Sequence, residues 1–548
     1  NRPITFRSLS NDSTKVIIQF SPTQGSNNYI FKNDGVKNLI FEKLHFINTS
    51  SILGRVFNNN VLSQNFILRN CIVEGEYSAP ATIDNDLLFS TAQLGGATIT
   101  NNVFKNGNRA LYLLGSNITI KANKFYGHKN YAISFGTVAV LPNVIGNEIY
   151  GPSTGTFSGI SMGTATDKFL VEKNKIINQL VPGIVGINCS FSAVGGVVAA
   201  DNALIANNEV SMLTGSTTIG IVAQSENAAF YHNTVLLTGN QANSVALRAG
   251  LSRGNTKIEN NIFSNPNGYA MATYPFSGYY PQTNRNIYYG SANPLKIHTT
   301  TNSFTNYSTV AAISAVSGRD ANSMIANPQF LSDAFLVPQN AAVYNLAPTI
   351  AVITTDIRNQ VRPNTNRDHG AYEFNSWSGN QNSDWSTAAN WTDARVPDAI
   401  GMAIFPTAGV TNDLIVTTPI SIHKMIVAAG RNITIKALQQ LNITGSLTNN
   451  GIIKDSGNLV FMGGEQQVLE GNGTIDNLVI NSSNNVTIAT GSQNNIGVIK
   501  TLDVQQGTLI TNDNLTLKSS NSFTARLLPI TIGNIAGEVT VERFIPAK

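Results

Sequence analysis

The chain has 548 residues, enough for more than one domain, and only 12% of them are charged, where globular proteins average about 25%. The formal net charge of +4 is not gathered into a basic cluster, so the composition argues against nucleic-acid binding. No run of about 18 apolar residues occurs, so neither a membrane-spanning helix nor membrane insertion is expected.

Residues 1–62 contain short apolar segments that are predicted to be strands of a set of opening coils. The first segment, residues 3–7, already reads as a strand, which indicates a processed or trimmed amino terminus. Residues 63–275 are predicted to form the regular coils that follow.

Residues 93–135 contain one pattern twice. The segment 99–104, ITNNVF, returns as 120–125, IKANKF, and the segment 109–113, RALYL, returns as 131–135, YAISF. Each half reads as three short strands with an asparagine turn between the first two. Neither half has enough apolar surface to fold alone, and repeats of this kind are stable when they stack on their neighbours.

One asparagine per coil follows the first strand and recurs at steps of variable length. A variable step favours the coils of a parallel β-helix over a propeller or a helical repeat. A sharp bend requires a residue with left-handed backbone dihedral angles, which asparagine tolerates. Asparagine side chains in successive coils can also form amide–amide hydrogen bonds. We predict a structural ladder of Asn70, Asn102, Asn123, Asn147, Asn174, Asn208, Asn233 and Asn261.

The third strands of these coils have an outer face, which is where a β-helix enzyme usually carries its catalytic side chains. The apolar, inward row is predicted to hold Leu111, Ile133, Ile160, Ile184, Ile221, Leu247 and Met271. The next residues are predicted to face outward: Tyr112, Ser134, Ser161, Val185, Val222, Arg248 and Ala272. Glycoside hydrolysis normally needs two carboxylates about 5–10 Å apart. A lyase needs a base and a cation that neutralises the uronate, and this outward row supplies neither set, so no catalytic residue is predicted.

Other polar groups are predicted to be structural. Arg248, Arg253, His232 and Lys257 come from consecutive coils, but solvated loop charges are a better interpretation than a basic lyase centre. The oxygen-bearing side chains at Asn364, Asn366, Asp368 and Glu373 favour a turn that caps the last coil over a calcium loop, and no metal or cofactor is predicted. The two cysteines, Cys71 and Cys189, are predicted to be buried and unpaired.

A tyrosine-rich segment leaves the regular coils and is the best candidate for glycan binding, because aromatic faces stack on sugars. The alternative is that these side chains cover the open end of the core. The candidates are Tyr274, Tyr279, Tyr280, Tyr288 and Tyr289.

A different composition begins at residue 375. Trp377, Trp385 and Trp391 lie close together and are predicted to form a small packed segment rather than a sugar-binding platform. Short alternating strands separated by Asn-Gly turns follow, which predicts a second, smaller β-solenoid or a β-sandwich over 375–520. Residues 521–548 are predicted to begin a further β module that is truncated.

Three segments together resemble a family of large secreted right-handed parallel β-helix proteins of Bacteroidetes. They are the opening 3–18, the block 355–374 that resembles the usual end of the helix, and the tryptophan segment with the final VTVERFIPAK. The resemblance implies an all-β chain with the first solenoid over 1–374. It also implies export by the type IX secretion machinery, a secreted or cell-surface location, and Ser13 as a candidate O-glycosylation site.

Two functions remain open on this basis. The first is a non-catalytic adhesin, stalk or filament element that binds surface glycans or associates with itself, and on this reading the chain is not an enzyme. The alternative is a polysaccharide lyase or a glycan-binding protein, because polysaccharide lyases such as the pectate lyases share the β-helix.

Overall fold

The computed structural model describes residues 2–546 except 78–80, 164–167, 192–202, 226, 251–255, 275–279, 299–302, 331, 339, 341–342, 344–345, 365–366, 393, 398, 400 and 465. The chain divides into two compact units, Asn1–Tyr372 and Glu373–Lys548. The described residues are nearly all β and form parallel solenoid turns, about 19 in all, as the repeat predicted. No helix in the described part of the chain has the length and hydropathy needed to cross a bilayer.

The coils of the first unit contribute strands to three rows, and within each row the strands pair in parallel with those of the coils before and after. The first row consists of Ile4–Arg7, Leu39–Glu42, Ile67–Arg69, Thr98–Thr100, Thr119–Lys121, Asn143–Ile145, Phe169–Glu172, Ala203–Ala206, Ala228–Tyr231, Lys257–Glu259 and Gln282–Asn284. The second row consists of Ile17–Phe20, His45–Asn48, Ile72–Glu74, Val103–Lys105, Lys124–Tyr126, Glu148–Tyr150, Thr234–Thr238, Ile262–Ser264, Ile287–Tyr289 and Met324–Ile325.

The third row carries the outer face on which the candidate site lies. It consists of Phe31–Asp34, Phe57–Val61, Leu88–Ser90, Leu111–Ser116, Tyr131–Val140, Phe157–Ser161, Val245–Gly250, Tyr269–Tyr274 and Leu295–His298. Two long strands, Lys175–Phe191 and Glu209–Ser225, run through both the second and the third rows. A minor pair, Ser63–Gln64 with Leu94–Gly95, stands apart from the three rows.

Inward side chains stack like on like from coil to coil. Phe104 lies parallel to Phe125 with ring centres 5.1 Å apart, and Ile99 pairs with Ile120 in register. All four side chains are fully buried, and each buried side chain of this size contributes about 1.5–3 kcal/mol. No single coil could bury these groups, which is why the repeat is stable only as a stack.

The asparagine ladder is present and runs without a break from Asn102 to Asn286. In each step the side-chain amide of one asparagine donates to the Oδ1 of the next, at 2.9–3.0 Å. Asn70 was wrongly placed in it: the coil register sets Asn70 beside Asn101, and Cys71 takes the ladder position. The sequence prediction also missed Asn286, which accepts from Asn261.

The left-handed residue of each bend lies one position before the ladder asparagine, not at it as predicted. The ladder side chain must point inward to reach its neighbour, so the bend is made by the preceding residue. The residues with positive φ at these bends are Asn70, Asn101, Ala122, Gly146, Lys173, Asn207, His232, Asn260 and Arg285.

A short helix, Val310–Ser317, covers the core at the carboxyl-terminal coils of the first unit. The Thr309 side chain accepts from the amide of Ala312 at its start, and Gly318 ends it with φ 66°. Ile313 is buried in the same core cluster as the coils. The following segment returns along the bends, where Lys173 Nζ donates to Thr355 Oγ1 at 2.6 Å.

The second unit is also a solenoid and not a sandwich, because all of its strand pairings in the sheet are parallel. Trp377, Trp385 and Trp391 are packed edge to face in its core. Its strands are Asn375–Ser376, Met402–Phe405, Ile415–Val416, Ile420–Val427, Asn432–Ile435, Gln440–Asn449, Ile452–Lys454, Asn458–Phe461, Gln467–Glu470, Thr474–Asn481, Val486–Ile488, Ile496–Gln506, Thr508–Ile510, Leu515–Leu517, Arg526–Leu527, Asn534–Ala536 and Thr540–Val541. The last three, which lie in the region predicted to begin a further module, pair with strands of the preceding coils.

Candidate functional site

The register of the third row defines one outward position per coil along the first unit. Read from coil to coil, this outward row holds Lys32, Asn58, Phe89, Tyr112, Ser134, Ser161, Asn188, Val222, Arg248, Ala272 and Lys296. This row agrees with the outward row predicted from the sequence except in one coil and at the carboxyl-terminal end of the row.

The exception is the coil that contains Ile184. The structure places Ile187 inward, paired with Ile160 and Ile221, while Ile184 is 43% exposed and Val185 is not in the outward row. The register of this strand shifts at irregularities near residues 178–185, and a shift of this kind moves side chains to the other face.

The end of the row was missed altogether. Lys296 follows Ala272 in register, on the strand Leu295–His298, and is 7% exposed. The sequence carries a signal, because Leu295-Lys-Ile-His298 alternates apolar and polar residues as a half-buried strand does. The irregular sequence between this strand and the preceding strand of the row hid it from the repeat.

Cationic and aromatic side chains meet on the last three coils of this face. We call this group the basic-aromatic strip; it consists of Arg248, Tyr269, Tyr274, Lys296, His298 and Phe304. The Arg248 guanidinium carbon lies 4.8 Å from the centre of the Tyr274 ring. The Tyr274 and His298 rings are stacked with centres 3.9 Å apart and planes 15° apart. Guanidinium and two rings therefore form a column along the solenoid axis.

The ammonium group of Lys296 is held between two rings. Its Nζ lies 4.1 Å from the centre of Tyr269 and 3.8 Å from the centre of Phe304. Phe304 comes from the strand Phe304–Tyr307, which pairs antiparallel with Leu295–His298 at the end of the row. Such cation–ring contacts contribute about 0.5–2 kcal/mol, and the aromatic rings leave the positive charge of the lysine unneutralised.

The charges of the strip have no internal partner. Within the described part of the chain, neither Arg248 nor Lys296 forms an ion pair with a carboxylate, whereas comparable cations on the same unit do. Two partly desolvated cations without a counter-ion favour an anionic ligand, since a complementary charge lowers their free energy.

The composition of the strip limits the chemistry it can perform. On the three strands that carry most of the strip, the outward positions are filled by Arg248, Gly250, Ala272, Tyr274, Lys296 and His298. None of these is a carboxylate, so they do not supply the acid pair of a glycosidase. They do supply two cations beside a phenol and an imidazole, which are groups that transfer protons.

The five predicted glycan-binding tyrosines are not brought together. Tyr274 belongs to the strip. Tyr288 is fully buried and donates to Asp320 at 2.9 Å, so its assignment as a binding residue is wrong, because it occupies an inward position beside Phe263. Tyr289 is half-buried in the second row, and Tyr280 packs against the core. Tyr279 lies outside the described residues.

The basic centre considered from the sequence is not assembled either. His232 is buried, where its Nδ1–H donates to Asp368 O and its Nε2 accepts from Asn260. Desolvation by burial lowers the pKa of His232 well below its ordinary value, so the ring is held neutral. Lys257 lies in the first row of strands, and Arg253 lies outside the described residues.

The remaining candidates are placed as follows. Asp368 is buried, Asn366 lies outside the described residues, and the described residues contain no group of three or more metal-binding side chains. Ser13 lies beside Asp12, whose carboxylate accepts from Thr14.

The predicted state of the two cysteines is confirmed. Cys71 and Cys189 are free and buried, and burial raises the pKa of the Cys71 thiol to about 11. Neither thiol is therefore ionised at neutral pH in the way that a nucleophile or a metal ligand requires.

No family model and no curated protein match this chain. Among solved structures, it is similar to a PL6 family alginate lyase, AlyGC, at 10% identity and a TM-score of 0.26, covering 98% of this chain and 74% of that one. A mutant of the same lyase is similar at 11% identity and a TM-score of 0.23, covering 98% and 77%.

The prediction that the chain is not an enzyme is corrected by this comparison, since the similar solved structures are polysaccharide lyases. That prediction also allowed for too little charge on the outer face. It counted a single charge in the outward row, and the register adds Lys296 to Arg248. A similarity of this size assigns no activity to this chain.

Proposed function

We propose that the first unit is a polysaccharide lyase that acts on an acidic, uronate-containing polysaccharide at the basic-aromatic strip. The observation that carries the proposal is the pair of cations, Arg248 and Lys296, held among aromatic rings on one outward face, with no carboxylate partner among the residues that the structure describes.

The strip suits both parts of such a ligand. Arg248 and Lys296 offer hydrogen-bond donors to uronate carboxylates, and charge-assisted bonds of this kind are about twice as strong as neutral ones. The rings beside them offer apolar surface to the sugar. Phe304 is 48% exposed although it is a large apolar residue, which leaves one side of the strip open to a ligand.

The reaction that these groups support is β-elimination. A base removes the proton at C5 of a uronate, the electron pair forms the C4–C5 double bond, and the C4–O bond breaks. A cation stabilises the negative charge that develops on the carboxylate, and an acid protonates the leaving oxygen. We assign charge stabilisation to Arg248 and Lys296, and the two proton transfers to Tyr274 and His298. The reaction needs no pair of catalytic carboxylates and consumes no water.

The protein is proposed to be secreted or attached to the cell surface, where such polysaccharides occur. The support for this location, and for export by the Bacteroidetes type IX machinery, is the resemblance of the opening, the 355–374 block and the tryptophan segment. Self-association into a filament and glycosylation of Ser13 stay predictions.

The proposal is tested by incubating the full chain with a panel of polyuronates, sulfated polysaccharides and neutral polysaccharides. We expect salt-sensitive binding to polyuronates only, accompanied by absorbance of the unsaturated uronate product. Lys296→Met should weaken binding at least tenfold. Lys436→Met, which removes an exposed lysine paired with Asp455 in the second unit, is the matched control and should bind normally.

Two outcomes would count against the proposal. Equal binding of neutral polysaccharides would show that the cations do not select the ligand. Polyuronate binding without any product would reduce the strip to a glycan-binding site and remove the enzymatic part.

A further inference from the structure

We infer that the ligand of the strip is a polyuronate chain lying along the solenoid axis. Arg248 binds the carboxylate of one sugar, and Lys296 binds the carboxylate of the next sugar but one. The inference rests on the proposed function and adds the orientation and the minimum length of the ligand.

The spacing of the two cations follows from the register. Arg248 pairs with Ala272 and Ala272 pairs with Lys296, so the cations occupy equivalent positions two coils apart. Because neighbouring strands are about 4.8 Å apart, this separation is roughly 9.6 Å along the axis. The intervening position is occupied by Ala272, which is uncharged and buried and offers nothing to a carboxylate.

An extended polyuronate matches this spacing. In a chain close to two-fold symmetry, neighbouring sugars turn opposite sides outward, so carboxylates on one side recur at every second sugar. The repeat is then the length of a disaccharide, which is comparable to two coils. Three consecutive sugars are the shortest ligand that brings one carboxylate to each cation at once.

The surroundings of the strip determine on which side a longer polysaccharide can extend. Beyond Lys296 the outward row ends, because the strand Phe304–Tyr307 pairs antiparallel with Leu295–His298 at that point. On the other side of Arg248 the row continues through the uncharged Val222, Asn188 and Ser161. A longer polysaccharide therefore extends from Arg248 toward the amino-terminal coils.

The test is a titration of the full wild-type chain with oligouronates of two, three, four and five sugars. Binding through two carboxylates makes the second contact intramolecular, so we expect the affinity to rise at least tenfold between the dimer and the trimer. Smaller increases should follow with further length. Arg248→Gln and Lys296→Met should each remove this step in affinity between the dimer and the trimer. Arg69→Gln, which changes a half-exposed arginine paired with Glu42 elsewhere on the unit, should keep it.

The outcomes separate this inference from the proposed function. A polyuronate that binds without a step between two and three sugars, or a step that survives in both strip variants, would overturn the axial two-cation arrangement alone. Failure of every oligomer and polymer to bind would overturn the proposed function together with it.

Discussion

Asn123 shows how much of each coil depends on one side chain. Its amide donates to Ile99 O and to Asn147 Oδ1, while its own Oδ1 accepts from the backbone and the side chain of Asn102. The residue is fully buried, so water cannot replace these partners. The ladder thus satisfies backbone groups at every bend that would otherwise be orphaned.

Asn123→Ala is expected to destabilise the first unit by about 2–4 kcal/mol, because it leaves a buried amide and a carbonyl without partners. The matched control is Asn101→Gly, which changes the left-handed residue of the preceding coil, where glycine is equally suited. Chemical denaturation followed by circular dichroism gives both values. Equal midpoints for the two variants would contradict the ladder.

His128 makes stability depend on pH. It is fully buried, and desolvation lowers its pKa from 6.5 to about 4. In the unfolded chain the ring takes up a proton below about pH 6.5, whereas the folded ring stays neutral down to about pH 4. Stability contributed by the neutral ring is therefore present above pH 6.5 and is lost as the pH falls toward 4.

Between pH 7 and pH 5, we expect the free energy of unfolding to fall by about 2 kcal/mol more for the wild type than for His128→Leu. The difference corresponds to about 1.36 kcal/mol for each pH unit below 6.5. His232 and His369 also have lowered pKa values, but they are present in both proteins and cancel from the comparison. Denaturation at pH 7, 6 and 5 measures the difference. Parallel pH curves for the two proteins would show that His128 is not buried in neutral form.

The ladder asparagines could be found from sequence because each one recurs with the same apolar neighbours. Asn70 misled the prediction, because asparagine serves two roles in adjacent positions, the left-handed bend and the ladder. Only the pairing of Asn101 with Asn70 shows that the ladder position in that coil is Cys71. A pattern of residue types could not separate two roles that favour the same residue.

At the scale of the strand, register decides which face a side chain takes. Ile184 and Ile187 are both isoleucines of the strand Lys175–Phe191, and the sequence gives no reason to prefer one as the inward residue. The structure makes Ile187 fully buried and leaves Ile184 43% exposed. Which isoleucine points inward depends on the irregular pairing of this strand with two neighbouring coils. The alternation of residue types within one strand does not show that pairing.

Ile187→Asp is therefore expected to prevent folding of the first unit, because it places an unpaired charge in the stacked core at a cost of several kcal/mol. Ile184→Asp is the matched control and should change stability by less than about 1 kcal/mol. Soluble yield and circular dichroism distinguish the two variants. The reverse result would restore the register predicted from the sequence, with Val185 in the outward row.

At the scale of the molecule, charge is sparse, since only 12% of the residues are charged. The net charge is only +4, and cations of the second unit such as Lys436 and Lys500 are paired with Asp455 and Asp476. A general positive field would therefore not account for the proposed polyanion binding, which rests on the local cations of the strip. The solenoid of the first unit could be predicted from repeated strands. The strip could not, because irregular sequence hid the register of Lys296 and because Phe304 comes from an antiparallel strand outside the repeat.

The rate of polyuronate cleavage in strip variants tests the central claim most directly. We expect Arg248→Gln and Lys296→Met each to lower kcat/KM at least a hundredfold, because each removes a charge that stabilises the developing anion. Arg69→Gln should cleave at the wild-type rate, and all three variants should keep the circular dichroism spectrum of the wild type. Wild-type rates of cleavage in both folded strip variants would contradict the claim and place any activity elsewhere on the molecule.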